Sequence, residues 1–391
     1  MAEPSLPPKK KWSWRSQAFR ALVYQVVAVA VIVLTVLYLA NNTATNMRAR
    51  GIQSGFDFLN SAAGFDIGES LFAFDSGESY WRAYLVGMVN TLRVAIVGII
   101  LTTLLGTLIG VGRFSRNALV RGLCVAYVEF FRNIPVLLQL LMWYLFFTEV
   151  LPAANEPISF GPFFLSKMGL NFPMPVPGNE HFITLAGAAV GIAGAYGYRV
   201  WALRSFEATG VARSMFWGPA GIALGGTLAG WVLAGSPTAW NLPVMGEFAI
   251  EHGGALTPEF LSLLLGLVIY TAAFVAEVVR AGIQSVSLGQ SEAASALGLS
   301  RGQTMRLVML PQALRVIIPP MTNQYLNLTK NSSLAVAIGY PDVVSIANTA
   351  INQTGRAVEC IAIIMLVYLT TSLSTSFLMN WYNARAAIKE R

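Results

Sequence analysis

Long uncharged runs divide this chain, and they constrain its fold more than any other feature of the sequence. The first extends from Ala21 to Met47, and further runs recur as far as Cys360–Ala384. A helix crosses the hydrocarbon core of a bilayer with about 20 apolar residues. Charged residues make up only 12% of the 391, whereas soluble domains have about 25%. The chain is therefore predicted to be all-α, a polytopic transmembrane helical bundle.

Trimmed to helical lengths, the runs predict about eight spans: 21–40, 84–112, 119–148, 182–199, 215–234, 259–283, 314–338 and 357–382. The first is interpreted as a signal anchor, because its run exceeds the roughly 7–15 residues of a signal-peptide core and no small-residue cleavage site follows it. The seventh is expected to be irregular and to form two short pieces. Pro319-Pro320 should break its helical hydrogen bonds, and Lys330 interrupts its apolar run.

The positions of the basic residues predict the orientation. With the N-terminus in the cytosol, 18 of the 26 lysines and arginines fall in the inside segments, which are 1–20, 113–121, 199–213, 280–315 and 383–391. Cytoplasmic segments of membrane proteins are enriched in these residues. Both termini are therefore predicted to be cytosolic, and the net charge of +7 is attributed to topology rather than to nucleic-acid binding.

Cysteine and histidine suggest no further chemistry. Cys124 and Cys360 lie in apolar runs and are interpreted as packing thiols rather than as a disulfide pair. His181 and His252 are isolated and have no partner at metal-ligand spacing.

The segment between the sixth and seventh predicted spans has the pattern of two short helices around a turn. The spacing of a capping box, which marks helix starts, occurs in Ser287 with Gln290 and in Ser300 with Gln303. Gly298 is placed at the end of the first helix, because glycine adopts a left-handed backbone at low cost.

This helical pair allows three interpretations. A DNA-reading helix-turn-helix is disfavoured, because the pair is tethered to the bilayer at both ends. A loop folded only to connect two spans is the plainer alternative. Docking to a soluble partner is preferred, because Ala293, Ala294 and Gly298 allow another backbone to approach closely. Pro311 is expected to stop the second helix.

The same segment resembles the EAA loop of ATP-binding-cassette (ABC) importer permeases. Its fixed positions are present with three residues, nine residues and one residue between the groups: Glu292-Ala293-Ala294, Gly298, Val308 and Leu310-Pro311. Val308 replaces the commoner isoleucine. The resemblance implies that this loop carries the coupling helix that seats in a groove of a cytosolic ATPase. The implied coupling residues are Glu292, Ala293, Ala294, Gly298, Leu310 and Pro311.

Further segments resemble the polar-amino-acid branch of these permeases: Gly87 with Thr91-Leu92, Tyr127–Arg132 with Pro135 and Gln139, Ala276–Gly282, and Lys330–Leu334. The resemblance covers about 84–150 and 257–385. Residues 151–256 look like an insertion with two extra spans. This long form, with Asn133-Ile134 where Gly-Thr is typical, is most similar to the general L-amino-acid permeases of Gram-negative bacteria.

The predicted organisation has seven parts. They are a cytosolic N-terminal segment (1–20), the signal-anchor span (21–40), a periplasmic segment (41–83), the first part of the permease core (84–150), the insertion (151–256), the second part of the core (257–385) with the EAA loop at 287–311, and a cytosolic tail (386–391).

The resemblance implies a permease subunit of an ATP-driven importer for polar or general L-amino acids in the bacterial inner membrane. The chain is not expected to be an enzyme or to hold a cofactor, because none of its six lysines follows a glycine as the P-loop lysine does. The expected partners are a cytosolic ABC ATPase dimer that binds ATP, a second permease subunit (a paralogue rather than an identical copy), a periplasmic amino-acid-binding protein and membrane lipid. The acidic residues within 57–78 either lie near the binding-protein contact or are simply solvated.

Ionisable residues inside spans are costly, so each is a functional candidate. The candidate pathway residues, polar neighbours included, are Glu129, Arg132, Gln139, Glu277, Lys330, Asn331, Ser332 and Ser333. Glu129 with Arg132, and Glu277 with Arg280, are three residues apart and either line the pathway or neutralise each other. Arg93 is an alternative partner for one of these carboxylates. An amino-acid carboxylate would suit Arg132 or Lys330, or the N-terminus of a broken helix.

Two other classes of function are alternatives. An ion- or proton-coupled secondary transporter would use carboxylates deep in spans, which Glu129, Glu277 and Glu359 supply, but no internal repeat is visible and the folded loop would have no purpose. A membrane-embedded enzyme is disfavoured, because no span contains a His/Asp/Glu cluster or a convincing nucleophile–base pair.

Overall fold

The computed structural model describes residues 14, 16–51, 54–176, 178–211, 213–236, 238–246 and 249–386. Twelve α-helices lie within them: α1 (Gln17–Ala49), α2 (Tyr80–Gly112), α3 (Ala118–Asn133), α4 (Val136–Leu145), α5 (Asn179–Thr209), α6 (Trp217–Leu233), α7 (Pro258–Gln284), α8 (Leu288–Ala296), α9 (Arg301–Gln303), α10 (Leu310–Asn331), α11 (Val343–Thr354) and α12 (Ala357–Ala386). There are also 3₁₀ helices at Asp57–Asn60 and Ser332–Ile338 and π-helices at Phe146–Val150 and Thr304–Met309. The predicted helical class is confirmed. Most of the predicted N-terminal segment 1–20 and of the tail 386–391 lies outside the described residues.

Four helices of the described chain are long and apolar enough to cross a membrane: Phe19–Ala49 within α1, α2, α7, and Ala357–Ala384 within α12. Two bent helix pairs raise the number to six if each pair is one span. The expected number of about eight spans exceeds this range. The difference is α5 and α6, which occupy the predicted spans at 182–199 and 215–234. α6 has only 17 residues, whereas a bilayer core requires about 20.

The predicted third span, 119–148, is a bent pair rather than one straight helix. α3 ends at Asn133, the next helix starts at Val136, and the two segments meet at an angle of 102°. Ile134 between them has an extended backbone, with φ −101° and ψ 129°. The ring of Pro135 disfavours a helical conformation in the residue before it, so the bend follows from local sterics.

Prolines do not interrupt the seventh predicted span as expected. Pro311 lies in the first turn of α10, directly after a π-helical segment, so it does not stop the second loop helix. Pro319 and Pro320 lie inside the same helix, which continues to Asn331. The φ of proline, about −65°, lies in the helical range, so the chain stays helical at both positions, although each proline removes a backbone hydrogen bond and crowds the preceding turn. The irregularity in the predicted span comes later, beside Lys330, where α10 ends at Asn331 and a 3₁₀ helix covers Ser332–Ile338.

The described chain divides into two compact units, each with its own core. The first combines the residues up to Arg93 with Pro341–Tyr382. Phe58 of the 3₁₀ helix, Ile346 of α11 and Cys360 of α12 are buried together in its core. The predicted periplasmic segment is therefore folded rather than a solvated connection.

Every acidic side chain of that outer segment has a partner within the first unit. The contacts are Asp57 with Arg356 (2.5 Å), Glu69 with Arg93 (2.5 Å), Glu78 with Arg82 (3.2 Å), Asp66 with the Ser76 N–H (3.1 Å) and Asp75 with the Gly77 N–H (2.7 Å). The hydrogen bond from Arg356 holds the pKa of Asp57 below its ordinary value. These carboxylates are thus engaged in contacts within the first unit, which the sequence did not reveal.

The second unit extends from Val94 to Tyr340 and includes the described residues after Tyr382, 383–386. Its core lies among α4, α7 and α10, where Leu140, Leu263 and Leu328 have no exposed surface. These three helices, with the end of α2 and with α3, position the side chains described below.

The insertion contains small antiparallel sheets that the sequence did not predict. A four-stranded sheet has the order β1 (Ile158–Phe160), β2 (Phe163–Ser166), β3 (Gly169–Phe172) and β8 (Gly254–Leu256). Two-stranded sheets pair β4 (Met174–Pro175) with β5 (Trp240–Asn241), and β6 (Val244–Met245) with β7 (Ile250–Glu251). Strands this short carry no alternating pattern long enough to recognise.

Glycines bring α5 and α6 into close contact. A β-carbon placed on Gly187 would lie 2.5 Å from the Gly230 Cα, and one on Gly226 would lie 2.4 Å from the Gly191 Cα. Small residues at such positions let helix backbones approach closely. The outer faces of the pair are apolar and exposed, as at Leu233, which is 79% exposed.

Candidate functional site

The EAA loop folds as two helices around a glycine turn, as predicted. α8 covers Leu288–Ala296, and α9 starts at Arg301. Between them Gly298 has a φ of +71°, a backbone conformation that costs other residues about 1–2 kcal/mol. The Leu299 N–H donates to the Ala294 carbonyl at 3.1 Å, which closes the end of α8.

One of the two predicted capping boxes is present. The Ser300 N–H donates to Gln303 Oε1 at 2.9 Å, and the Gln303 N–H donates to Ser300 Oγ at 3.4 Å. The box at Ser287 does not form, because its side chain accepts no capping hydrogen bond. Gln290 instead accepts a hydrogen bond from Gln312 Nε2 at 3.3 Å. This contact ties α8 to α10.

The exposed surface of the loop extends beyond the predicted coupling residues. Glu292, Ala293, Gly298 and Leu310 are exposed, Pro311 is half-buried and Ala294 is buried. Leu288, at the start of α8, and Leu297, just after its end, are each 81% exposed. The two leucines add apolar surface to an element whose other exposed residues are mostly small or polar. Their positions at the two ends of the predicted helix could have identified them from the sequence, but they were not among the predicted coupling residues.

Glu277 of α7 is surrounded by three arginines. Arg113, just after α2, contacts Glu277 Oε2 at 2.5 Å, and Arg132 of α3 lies 3.8 Å from the same oxygen. Arg280 binds Oε1 from the next turn of α7 and also donates to Gln284. The predicted pairing of Glu277 with Arg280 is confirmed, while Arg113 was missed because it is distant in sequence.

Two alternatives that the sequence left open turn out differently. Glu129 is exposed and makes no ion pair with Arg132 within the described residues. Arg93 pairs with Glu69 at 2.5 Å. Its partner lies in the outer segment, whose folded state the sequence did not predict.

Gln139 occupies a structural position at the bend between α3 and α4. It is 2% exposed, and its Nε2 donates to the carbonyl oxygens of Phe131 at 2.9 Å and Ile134 at 3.0 Å. A bend leaves helix-end carbonyls without intrahelical donors, and Gln139 satisfies two of them.

The polar residues at the end of α10 either face solvent or hydrogen-bond to the backbone. Lys330 is exposed and Asn331 is half-buried. Ser332 Oγ donates to the Thr329 carbonyl at 2.7 Å, and Ser333 Oγ donates to the Lys330 carbonyl at 2.7 Å. The two serines thus cap the helix end.

Two adjoining cavities lie along α7 and α10. The first has a volume of about 290 Å³, and its lining includes Arg132, Phe274, Glu277 and Gln324. The second has a volume of about 330 Å³ and is lined by Tyr270, Thr271, Phe274, Gln324, Asn327 and Asn331. Phe274 and Gln324 belong to both linings. Of the eight predicted pathway residues, Arg132, Glu277 and Asn331 are the ones that line these cavities.

Comparison with known proteins identifies the family. Residues 102–388 match the family described as "binding-protein-dependent transport system inner membrane component". The chain belongs to this family. It is therefore a permease component of the inner membrane, a transport protein rather than a catalyst, and the resemblance to ABC importer permeases carried by the EAA loop is confirmed.

Three curated relatives match over nearly their whole length. The chain is 45% identical to the general L-amino acid transport system permease protein AapQ of Rhizobium johnstonii, over 97% of this chain and 96% of that protein. It is 45% identical to the putative amino-acid ABC transporter permease protein YhdX of Escherichia coli, over 98% of both. It is 39% identical to the glutamate/glutamine/aspartate/asparagine transport system permease protein BztB of Rhodobacter capsulatus, over 100% of both.

Proposed function

We propose that this chain is one of two permease subunits of an ATP-driven importer for polar or general L-amino acids. Similarity along almost the whole chain to permeases whose names specify amino-acid transport carries the proposal. The folded EAA loop supports it, because its two exposed leucines suit a soluble partner.

In this proposal a separate cytosolic ATPase dimer binds and hydrolyses ATP. Closure of the dimer moves the docked helix α8, and the hydrogen bond between Gln290 and Gln312 passes that movement to α10. α10 carries Gln324 and Asn331, which line the cavities. The coupling is therefore mechanical and requires no cofactor in this chain.

The other subunits complete the pathway. A second permease, a paralogue of this chain, supplies the opposite wall, and a periplasmic binding protein delivers the amino acid.

The EAA loop and both termini face the cytosol, in agreement with the distribution of lysine and arginine. Substrate moves along α7 and α10, where charged and amide side chains replace part of its hydration.

The coupling role is tested by copurification. Gly298→Asp places a carboxylate on the exposed turn, where a β-carbon has no neighbour within 4 Å. Gly210→Asp is the matched control, because Gly210 has a φ of +70°, equally open surroundings and a position just after the end of a helix, α5. We expect tagged wild-type and Gly210→Asp proteins to bring down an ATPase and a second permease, and Gly298→Asp to lose the ATPase selectively. Retention of the ATPase by Gly298→Asp would contradict the coupling role.

The substrate class is tested by uptake. Cells that produce the complete transporter should accumulate radiolabelled L-glutamine and L-glutamate, and accumulation should stop when cellular ATP is depleted with the proton gradient maintained. Accumulation that persists without ATP would instead favour an ion-coupled carrier.

A further inference from the structure

The arginine cluster around Glu277 contains more positive than negative charge. Three guanidinium groups, from Arg113, Arg132 and Arg280, meet the single carboxylate of Glu277. Unpaired charge close to a bilayer is costly, and such groups pair with an opposite charge or face a water-filled cavity. This cluster borders a cavity, and it has capacity for a further anion.

The three arginines do not hold Glu277 equally. Arg113 contacts its carboxylate at 2.5 Å, and Arg280 binds its other oxygen. Arg132 lies at 3.8 Å, beyond hydrogen-bonding distance, and its side chain is 36% exposed. Because two guanidinium groups already satisfy Glu277, Arg132 is the member of the cluster that an incoming anion can engage.

Arg132 is held in position from the cavity side. Its guanidinium carbon lies 5.3 Å from the centroid of the Phe274 ring, a cation–π arrangement that leaves the edge of the guanidinium available for hydrogen bonds. Phe274 itself contacts Tyr270, with 5.0 Å between ring centroids. Phe274 and Gln324 line both cavities, so the position of Arg132 is continuous with the polar lining at Asn327 and Asn331.

We propose that Arg132, held against the Phe274 ring, binds the carboxylate of the transported amino acid in the cavity that both residues line, while Arg113 and Arg280 neutralise Glu277. The inference rests on the proposed function and adds the atoms that recognise the substrate. Arginine suits this role, because its planar fork donates two parallel hydrogen bonds to one carboxylate. The interaction is exchangeable, since Arg132 can return to Glu277 when the substrate leaves.

The test measures recognition of the carboxylate. The complete transporter is purified in phosphatidylcholine nanodiscs, and binding of radiolabelled L-glutamine is challenged with L-glutaminamide, in which an amide replaces the α-carboxylate. A hydrogen-bonded charge pair is worth enough to make the amide a weaker competitor than unlabelled L-glutamine by about tenfold or more in the wild type. In Arg132→Gln the difference should fall to about twofold, and Arg132→Lys should be intermediate, because it keeps the charge without the fork.

Arg121→Gln is the matched control. Arg121 lies on the same helix and donates to the Ser115 carbonyl at 3.3 Å, so its loss should leave the preference for the carboxylate unchanged. A purely structural role for Arg132 would weaken both competitors equally and preserve the tenfold preference, which would overturn the proposal. Loss of L-glutamine binding in phosphatidylglycerol nanodiscs would also overturn it, because the anion would then be a lipid headgroup. If the wild type neither imports nor binds L-glutamine, the proposed function fails rather than this inference alone.

Discussion

Single glycines set how closely the helices of the second unit approach each other. A β-carbon on Gly106 of α2 would lie 2.5 Å from Val275 Cγ1 and 2.9 Å from the Ala272 carbonyl oxygen of α7. Both neighbours belong to a rigid helix, and Val275 is fully buried. The second unit therefore depends on the absence of a side chain at this position.

Gly106→Val should destabilise the folded protein by about 1–3 kcal/mol, because the added methyl groups overpack the contact between α2 and α7. Gly122→Val makes the same change on α3, where a β-carbon has no neighbour within 4 Å. The apparent melting temperature of the detergent-solubilised protein should fall by several degrees for Gly106→Val only. Equal melting of the two variants would show that the helices separate easily at this point.

At the scale of a secondary-structure element, the EAA loop depends on its caps. Only Ser300 makes a side-chain cap, although Ser287 has the same sequence spacing. Ser287 does not cap α8, and Gln290, which would complete its capping box, accepts a hydrogen bond from Gln312 of α10 instead. α9 is thus held by its own cap, and α8 is held by a contact with its neighbour.

Ser300→Ala should weaken the start of α9 by about 1 kcal/mol, and Ser287→Ala should have no measurable effect on α8. Hydrogen–deuterium exchange of peptides covering each serine gives the readout. We expect exchange near Ser300 to accelerate about fivefold, with no change near Ser287 in its variant. Faster exchange at both sites would mean that Ser287 also forms a cap in solution.

At the scale of the whole molecule, the orientation in the bilayer is open to direct measurement. Leu71 of the outer segment is 60% exposed, and Leu297 of the EAA loop is 81% exposed. Cysteines placed at these sites, after replacement of Cys124 and Cys360 by alanine, report the two sides of the membrane.

Leu71→Cys should react with a membrane-impermeant maleimide in intact spheroplasts, and Leu297→Cys should react only after the membrane is opened. The physical reason is the excess of lysine and arginine in the segments assigned to the cytosol. The alanine background without added cysteine is the control for labelling. Reaction of Leu297→Cys in intact spheroplasts would reverse the proposed orientation.

The sequence by itself determined the properties that depend on neighbouring residues. Runs as long as Ala21–Met47 are helical because a bilayer leaves no other way to satisfy the backbone, and Gly298 ends α8 because a left-handed turn favours glycine. The spacing of the EAA residues likewise identified the family. Each of these signals lies within one short stretch of chain.

Only the tertiary structure decided which polar groups distant in the sequence meet. Arg113 and Glu277 are 164 positions apart, and Arg93 and Glu69 are 24 apart. Spacing along one helix instead suggested Arg132 with Glu129, which do not pair. The choice of partner depends on how helices pack and on which carbonyls a bend exposes, as at Gln139. Those are long-range consequences of packing, and no local pattern encodes them.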